Sequence, residues 1–222
     1  MEEMHKAIAD DVLGGLRAGF YLLNHCNGLL FFLSYGGPFL LDWYFIYNPL
    51  IQEVAKLPET IRPRIRTLCF LHLGLGFSPS TREYKIVGVN NINARIHTLG
   101  TTSWRHVLNY PLNHIEGEPV YADGALHWKI GATFYASANT TNMEYRFVSF
   151  DIGNEEFSIT RHPNLSSKRN HLIDLIEFRG CLAVVDLSLS THIEIWVMKN
   201  INMRGKQWNR DYCIKIQAPD GK

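Results

Sequence analysis

The sequence predicts an all-β protein, a β-propeller built from four-stranded antiparallel sheets. From residue 20 onward, apolar residues come in short runs separated by Gly, Pro, Asn and Asp, as strands alternate with turns. A turn glycine begins a new apolar run at Gly28, Gly124 and Gly180. The spacings point to a unit of roughly 50 residues with about four short strands, which is typical of a propeller blade.

The first residues predict a short N-terminal helix ahead of the propeller. Helical spacing relates four apolar residues that precede a Gly-Gly pair, namely Met1, Met4, Ile8 and Val12. A helix this short is marginal without tertiary packing. We therefore assign residues 1–19 to an N-terminal extension and residues 20–222 to the propeller domain.

Alternation inside the apolar runs supports strands and argues against helices. Leu126, Trp128 and Ile130 fall on one face of an extended segment, because successive side chains of a strand point to opposite faces. The same alternation recurs in residues 192–197 and 212–216. We expect no helix after residue 20.

The repeat spacing predicts four units. Gly28 and Gly124 are 96 residues apart, and Gly76 lies midway as the candidate turn glycine of a second unit, although one glycine near that place carries little weight. Propellers close with about four to eight blades, so four units form either a small ring or part of a larger one. Since residues 208–216 resemble the outer part of a last blade, we expect a fragment of a longer propeller.

Charge and cysteine usage narrow the class of protein. Lys and Arg total 22 against 21 Asp and Glu, so we expect no broad electrostatic footprint for nucleic acid. The four cysteines form no C-x-x-C pair and no compact disulfide framework; they are Cys26, Cys69, Cys181 and Cys213. We interpret them as thiols of a reducing compartment, the cytoplasm or nucleus.

A stretch of 24 residues, 18–41, has no Asp, Glu, Lys or Arg and is long enough to span a bilayer. Polar residues and the breaker Gly36-Gly37-Pro38 divide it into short apolar packets. The acidic start also lacks the positive region of a signal peptide. We therefore expect neither a membrane span nor secretion.

Several segments, in order, resemble the F-box associated domain of plant F-box proteins. The most specific is GLGFSPSTREYKIV at residues 74–87, which is similar to the family pattern GFGFDPSTNDYKVV. The other matching segments are residues 26–30, 47–50 with 57–58, 98–100 with 103–105, 123–128, 148–151 and 195–198. Each is weak alone, but together they cover most of residues 20–216.

The resemblance implies a kelch-like propeller that serves as a substrate receptor of an SCF-type, cullin-RING ubiquitin ligase. In that family the F-box docks on the ligase adaptor, and the propeller holds the target protein for ubiquitination. Residues 1–20 do not resemble an F-box. We therefore expect adaptor binding only if an F-box is encoded upstream. The alternatives are an isolated recognition module, a truncated and inactive F-box paralogue, and an incorrect gene boundary.

Motifs of catalysis, cofactor binding and metal binding are incomplete. Residues 76–80 lack the closing glycine of a nucleophile elbow, so Ser78 and Ser80 are better interpreted as turn residues. Gly74-x-Gly76 has no third glycine, and Cys69 with His72 has no second pair to complete a zinc site. We expect no catalytic, cofactor-binding or metal-binding residues. A propeller enzyme with carboxylates or a metal on its axis is the rival class.

Candidate partner-binding residues lie in two polar segments. Residues 131–142 form the longest polar insertion and offer Phe134 and Tyr135 as anchors, while residues 165–171 carry the basic pair Lys168 and Arg169, suited to an acidic partner. The five tryptophans are expected to pack between blades. Sugar binding through an exposed tryptophan remains the alternative to protein binding.

Overall fold

The computed structural model describes residues 19–35, 43–58, 72–90, 92–110, 115–130, 146–163, 172–200 and 206–216. Sixteen strands form four sheets, which we call blades 1 to 4. Blade 1 contains β1 (Gly19–Cys26), β2 (Leu29–Tyr35), β3 (Trp43–Asn48) and β4 (Glu53–Lys56). Blade 2 contains β5 (His72–Ser78), β6 (Glu83–Val89), β7 (Ala94–Thr98) and β8 (Arg105–Val107). Blade 3 contains β9 (Ile115–Ala122), β10 (Ala125–Ile130), β11 (Arg146–Asp151) and β12 (Glu156–Arg161). Blade 4 contains β13 (Ile173–Phe178), β14 (Cys181–Asp186), β15 (His192–Asn200) and β16 (Lys206–Lys215).

Each blade is an antiparallel meander whose strands pair in chain order. This confirms the predicted all-β class and the four-stranded unit. The short helix predicted at the N-terminus, ahead of β1, lies outside the described residues. Within the described ranges, the chain forms no helix that is long and apolar enough to cross a membrane.

The first strands of the blades lie side by side and run in the same direction. β5 contacts both β1 and β9, and β9 contacts β13. Near the strand starts, Nδ1 of His72 lies 2.8 Å from the carbonyl oxygen of Gly117. Near the strand ends, the hydroxyl of Tyr121 donates to the carbonyl oxygen of Phe77 at 2.8 Å. Inner strands in this arrangement are those of a propeller.

Tight turns connect the first and second strands of three blades. Asn27-Gly28, Asp123-Gly124 and Arg179-Gly180 all have positive φ at both residues. That conformation is the type I′ turn, which favours Asn-Gly and Asp-Gly because glycine adopts positive φ without steric cost. The turn glycines predicted at these three places are confirmed.

Gly76, the candidate turn glycine of blade 2, instead lies inside β5, and residues 79–82 form the turn. A Cβ at Gly76 would lie 2.7 Å from Cδ1 of Ile152 in blade 3. At Gly74, a Cβ would lie 2.5 Å from Cγ of Pro119. The two glycines therefore allow close packing between blades 2 and 3, which is why this G-x-G pattern is not a turn.

Because the inner strands share a direction, the strand ends form two rims. The turn rim carries the links after the first and third strands of each blade: residues 27–28, 49–52, 79–82, 99–104, 123–124, 152–155, 179–180 and 201–205. The other strand ends form the connection rim, and the sequence joins them through residues 36–42, 57–71, 90–93, 108–114, 131–145, 162–172 and 187–191. Links on the turn rim have at most six residues, whereas two on the connection rim have fifteen.

The core lies at the junctions between blades. One apolar cluster joins blades 1 and 2, a second joins blades 2 and 3, and a third joins blades 3 and 4. Trp128 is fully buried in the second cluster, and the other tryptophans are half-buried against apolar clusters: Trp43, Trp104, Trp196 and Trp208. Trp104, Trp128, Trp196 and Trp208 lie in or against clusters that join two blades, as expected, whereas Trp43 packs against residues of its own blade 1.

Candidate partner-binding surfaces

The four predicted partner-binding residues, Phe134, Tyr135, Lys168 and Arg169, lie outside the described residues. The strands that flank their segments are described. Lys129, near the end of β10, pairs with Phe147 of β11, and Arg146 pairs with Arg161 at the end of β12. Both segments therefore leave blade 3 from neighbouring strands at the connection rim.

A polar contact joins two of the described strands that flank these segments. Nζ of Lys129 donates to the carbonyl oxygen of Ile173 at 3.1 Å and to Oδ1 of Asp174 at 2.9 Å. Lys129 belongs to blade 3, and the two acceptors begin β13 of blade 4. The contact holds the start of blade 4 against the end of β10.

An open cleft of about 480 Å³ lies between the outer strand of blade 2 and the last turn of blade 3. It is lined by Arg105, His106, Val107, Leu108, Asn109, Asn154, Glu155, Glu156 and Phe157. Leu108 is 81% exposed at its edge. Because apolar and charged groups of both signs line the cleft, it is suited to contact with a polypeptide and has no single dominant charge.

A charge network ties this cleft to the blade junction. Lys85, which is buried, donates to Oε1 of Glu155 at 2.7 Å and to the carbonyl oxygen of Ile152 at 3.2 Å. Arg105 donates to the other carboxylate oxygen of Glu155. Burial alone would raise the pKa of Glu155, but hydrogen bonds from Arg105 and Lys85 outweigh it and lower the pKa. The carboxylate is thus held ionised as a structural partner.

The residues considered for catalysis or zinc binding have structural contacts. Oγ of Ser78 accepts from the backbone N–H of Thr81 at 3.2 Å and lies 3.1 Å from Oγ of Ser80. This confirms the turn interpretation of the serine pair. His72 contacts the Gly117 carbonyl, as described above, and Cys69 lies outside the described residues.

One cluster of possible ligand side chains was not foreseen from the sequence. His192 and Glu194 lie on β15, and Cys213 pairs with Glu194 from β16. The residues are too far apart in sequence to form a metal-binding motif. The only signal was their alternation in the two predicted strands 192–197 and 212–216, together with the pairing of those strands.

The family model for the F-box associated beta propeller domain matches residues 3–220. The chain belongs to this family. F-box protein At3g07870 of Arabidopsis thaliana is 26% identical to this chain, over 91% of this chain and 52% of the relative. F-box/kelch-repeat protein At3g23880 of the same plant is 22% identical, over 81% and 49%. F-box protein CPR1 is 22% identical, over 77% and 47%. The chain spans about half the length of these curated relatives.

The structure explains the segment that most resembled this F-box associated family, residues 74–87. Gly74 and Gly76 face blade 3, as described above, and the rings of Phe77 and Tyr84 pack with centroids 4.8 Å apart. Lys85 then crosses to blade 3. The segment therefore joins blades 2 and 3 through close backbone packing and a buried lysine.

Proposed function

We propose that the chain is the target-binding part of an SCF-type ubiquitin ligase receptor, which holds a protein for ubiquitination without catalysis of its own. Membership of the F-box associated beta propeller family and the F-box names of the relatives support this role. The supporting observation in the fold is the difference between its rims. Long links concentrate on the connection rim, and contact residues are most often found in such links on a rigid scaffold.

The target-binding surface is centred on the connection rim of blade 3. Residues 131–145 and 162–172 continue from neighbouring strand ends of this blade. Phe134 and Tyr135 supply apolar anchors, because aromatic residues dominate binding hot spots. Lys168 and Arg169 supply positive charge for an acidic segment of the target.

Docking on the ligase adaptor depends on an F-box encoded upstream of residue 1. In this proposal the chain alone binds its target in the cytoplasm or nucleus and does not capture the adaptor. Fusion of an F-box to its N-terminus then gives adaptor capture and faster turnover of the target.

The proposal is tested by proximity labelling in plant cells with the whole chain and two charge-reversed variants. Lys168→Glu with Arg169→Glu changes the connection rim, and the matched control Arg82→Glu with Arg179→Glu changes exposed arginines on the turn rim. We expect the first pair to lose proteins that the unaltered chain and the control both label. A protein lost in this way should bind the purified chain directly.

Equal labelling by all three forms would contradict the placement of the surface. Specific glycan binding by the purified chain, with no directly bound protein, would contradict the function itself. Capture of the adaptor by the chain alone would contradict the need for an upstream F-box.

A further inference from the structure

Three side chains with different donor atoms converge at the connection rim of blade 4. A ring nitrogen of His192, a carboxylate oxygen of Glu194 and Sγ of Cys213 all lie within 4.8 Å of one another. His192 and Glu194 alternate on β15 and share a face, and Cys213 is the direct cross-strand partner of Glu194. Strand pairing therefore holds the three groups in place.

The cluster combines a buried carboxylate with access from solvent. The side chain of Glu194 is 5% exposed, that of His192 is 25% exposed, and Cys213 is exposed. Trp196 donates from Nε1 to Oε2 of Glu194 at 3.1 Å, which fixes the orientation of the carboxylate. A rigid acceptor beside an accessible thiol and imidazole is an arrangement that a metal ion from solution is able to enter.

A second carboxylate adjoins the cluster. Asp186 of β14 is the cross-strand partner of Glu194 on its other side, so the two residues share a face. Asp186 is fully buried; its Oδ1 accepts from the N–H of Ser188, and its Oδ2 has no hydrogen-bond partner among the described residues. Arg210 donates to Oε1 of Glu194 at 2.6 Å. Among the ion pairs of the described strands, Arg210 contacts no carboxylate other than that of Glu194.

We propose that His192, Glu194 and Cys213 form a binding site for a divalent transition-metal ion, with Zn²⁺ the preferred ion. Imidazole nitrogen, carboxylate oxygen and thiolate sulfur are the ligands that zinc takes, whereas Mg²⁺ and Ca²⁺ favour oxygen alone. On binding, the Cys213 thiol releases its proton to solvent and the thiolate becomes the ligand. Water completes the tetrahedral shell. This site is independent of the proposed ligase function.

Arg210 gives the proposal a distinctive consequence. Its guanidinium occupies Oε1 of Glu194, so it competes with the metal for that carboxylate and opposes a second positive charge there. Replacement of Arg210 by neutral Gln is therefore expected to strengthen metal binding. A cluster that served only as a structural ion pair would show no such gain.

The test uses the whole chain, stripped of metal and titrated with Co²⁺ as a spectroscopic probe. We expect one equivalent to bind, with a thiolate-to-cobalt charge-transfer band that Zn²⁺ abolishes by displacement. Cys213→Ser should remove the band, and His192→Asn should weaken Co²⁺ binding by at least about 10-fold. Arg210→Gln should strengthen it. The matched control is Cys181→Ser, which changes a half-buried thiol of β14 and should retain the band.

Circular dichroism of each variant checks that the fold is retained. The proposal is overturned if the unaltered chain gives no band at stoichiometric Co²⁺, if Cys213→Ser keeps the band, or if Cys181→Ser removes it. Weaker binding by Arg210→Gln would overturn the role given to that residue. Because the unaltered chain is measured directly, failure of a variant to fold does not remove the test.

Discussion

His127 is a titratable group enclosed within blade 3. It is buried, Nε2 donates to the carbonyl oxygen of Ala122 at 3.2 Å, and Nδ1 therefore accepts from the hydroxyl of Ser149 at 2.7 Å. Burial lowers its pKa from 6.5 to about 4, with a smaller contribution from Lys206. The folded chain thus holds this imidazole neutral at pH values where the unfolded chain protonates it.

This difference in pKa predicts an acid-dependent loss of stability. As pH falls from 6.5 to about 4, the unfolded state takes up a proton that the folded state refuses, so the free energy of unfolding decreases. The decrease in the free energy of unfolding that His127 causes reaches about 3 kcal/mol near pH 4. It should be absent from His127→Gln, whose amide can keep a donor and an acceptor at this position.

Urea unfolding of the unaltered chain and of His127→Gln is measured at pH 7 and at pH 4. The decrease in the free energy of unfolding between the two pH values is then compared between the two proteins. Glu155 and Glu194, whose pKa values are lowered, also lose stabilisation in acid, but they do so in both proteins. Parallel pH profiles for the two proteins would contradict the assignment to His127.

At the residue scale, sequence reasoning succeeded where a side chain acts locally. Ser78 bonds within its own turn, and its role follows from neighbouring residues. Lys85 was not foreseen as a buried residue, because its acceptors Ile152 and Glu155 are about 70 positions away in the chain. Lysine is seldom buried unless paired, so sequence alone favours a solvated position.

At the scale of single strands, β5 depends on the absence of a side chain at Gly74. A Cβ there would lie 2.5 Å from Cγ of Pro119 and 2.9 Å from Cδ2 of Leu126, both in blade 3. The proline ring is stiff and cannot turn aside. We expect Gly74→Ala to lower the free energy of unfolding by about 1–3 kcal/mol through overpacking of the junction.

A matched substitution separates overpacking from the loss of glycine itself. Gly153→Ala places its Cβ 3.3 Å from the hydroxyl oxygen of Ser80, on an exposed residue that is able to rotate away. We expect a change below about 0.5 kcal/mol for this variant. Equal effects of the two substitutions in urea unfolding would show that β5 does not need close approach to blade 3.

The strands were predictable from alternation and turn chemistry, but their registers were not. The turn residues Asn27-Gly28 and Asp123-Gly124 define hairpins locally, since turn type sets the pairing of adjacent strands. β15 and β16 change register at a bulge beside Trp196. That irregularity decides which residues face each other, and it is why the grouping of His192, Glu194 and Cys213 was missed.

At the scale of the whole molecule, the blades are joined by shared apolar clusters and by polar contacts across each junction. Asn24 exchanges two hydrogen bonds of 2.9 Å with the backbone of Leu75, which joins blade 1 to blade 2. Lys85 joins blade 2 to blade 3, and the Asp123–Lys206 ion pair joins blade 3 to blade 4. No described blade is therefore independent of its neighbours.

These junctions predict a single cooperative unfolding transition. Tryptophans lie in all four blades, so their fluorescence reports on the whole array, while far-ultraviolet circular dichroism reports on the strands. We expect the two signals to give the same midpoint in urea. The two midpoints should still agree at 1 M salt, because salt screens exposed ion pairs and leaves apolar packing intact. Separate midpoints would indicate blades that unfold in steps.

The links at the two rims differ in how far their sequence and length are able to vary. Two-residue turns at Asn27-Gly28 and Asp123-Gly124 tolerate little change, because their backbone conformation favours particular residues. The fifteen-residue link at 131–145 has no such demand on its length. Family members are thus free to differ in the long links while they retain the short turns, and under the proposed function a link grafted onto another member should transfer target binding.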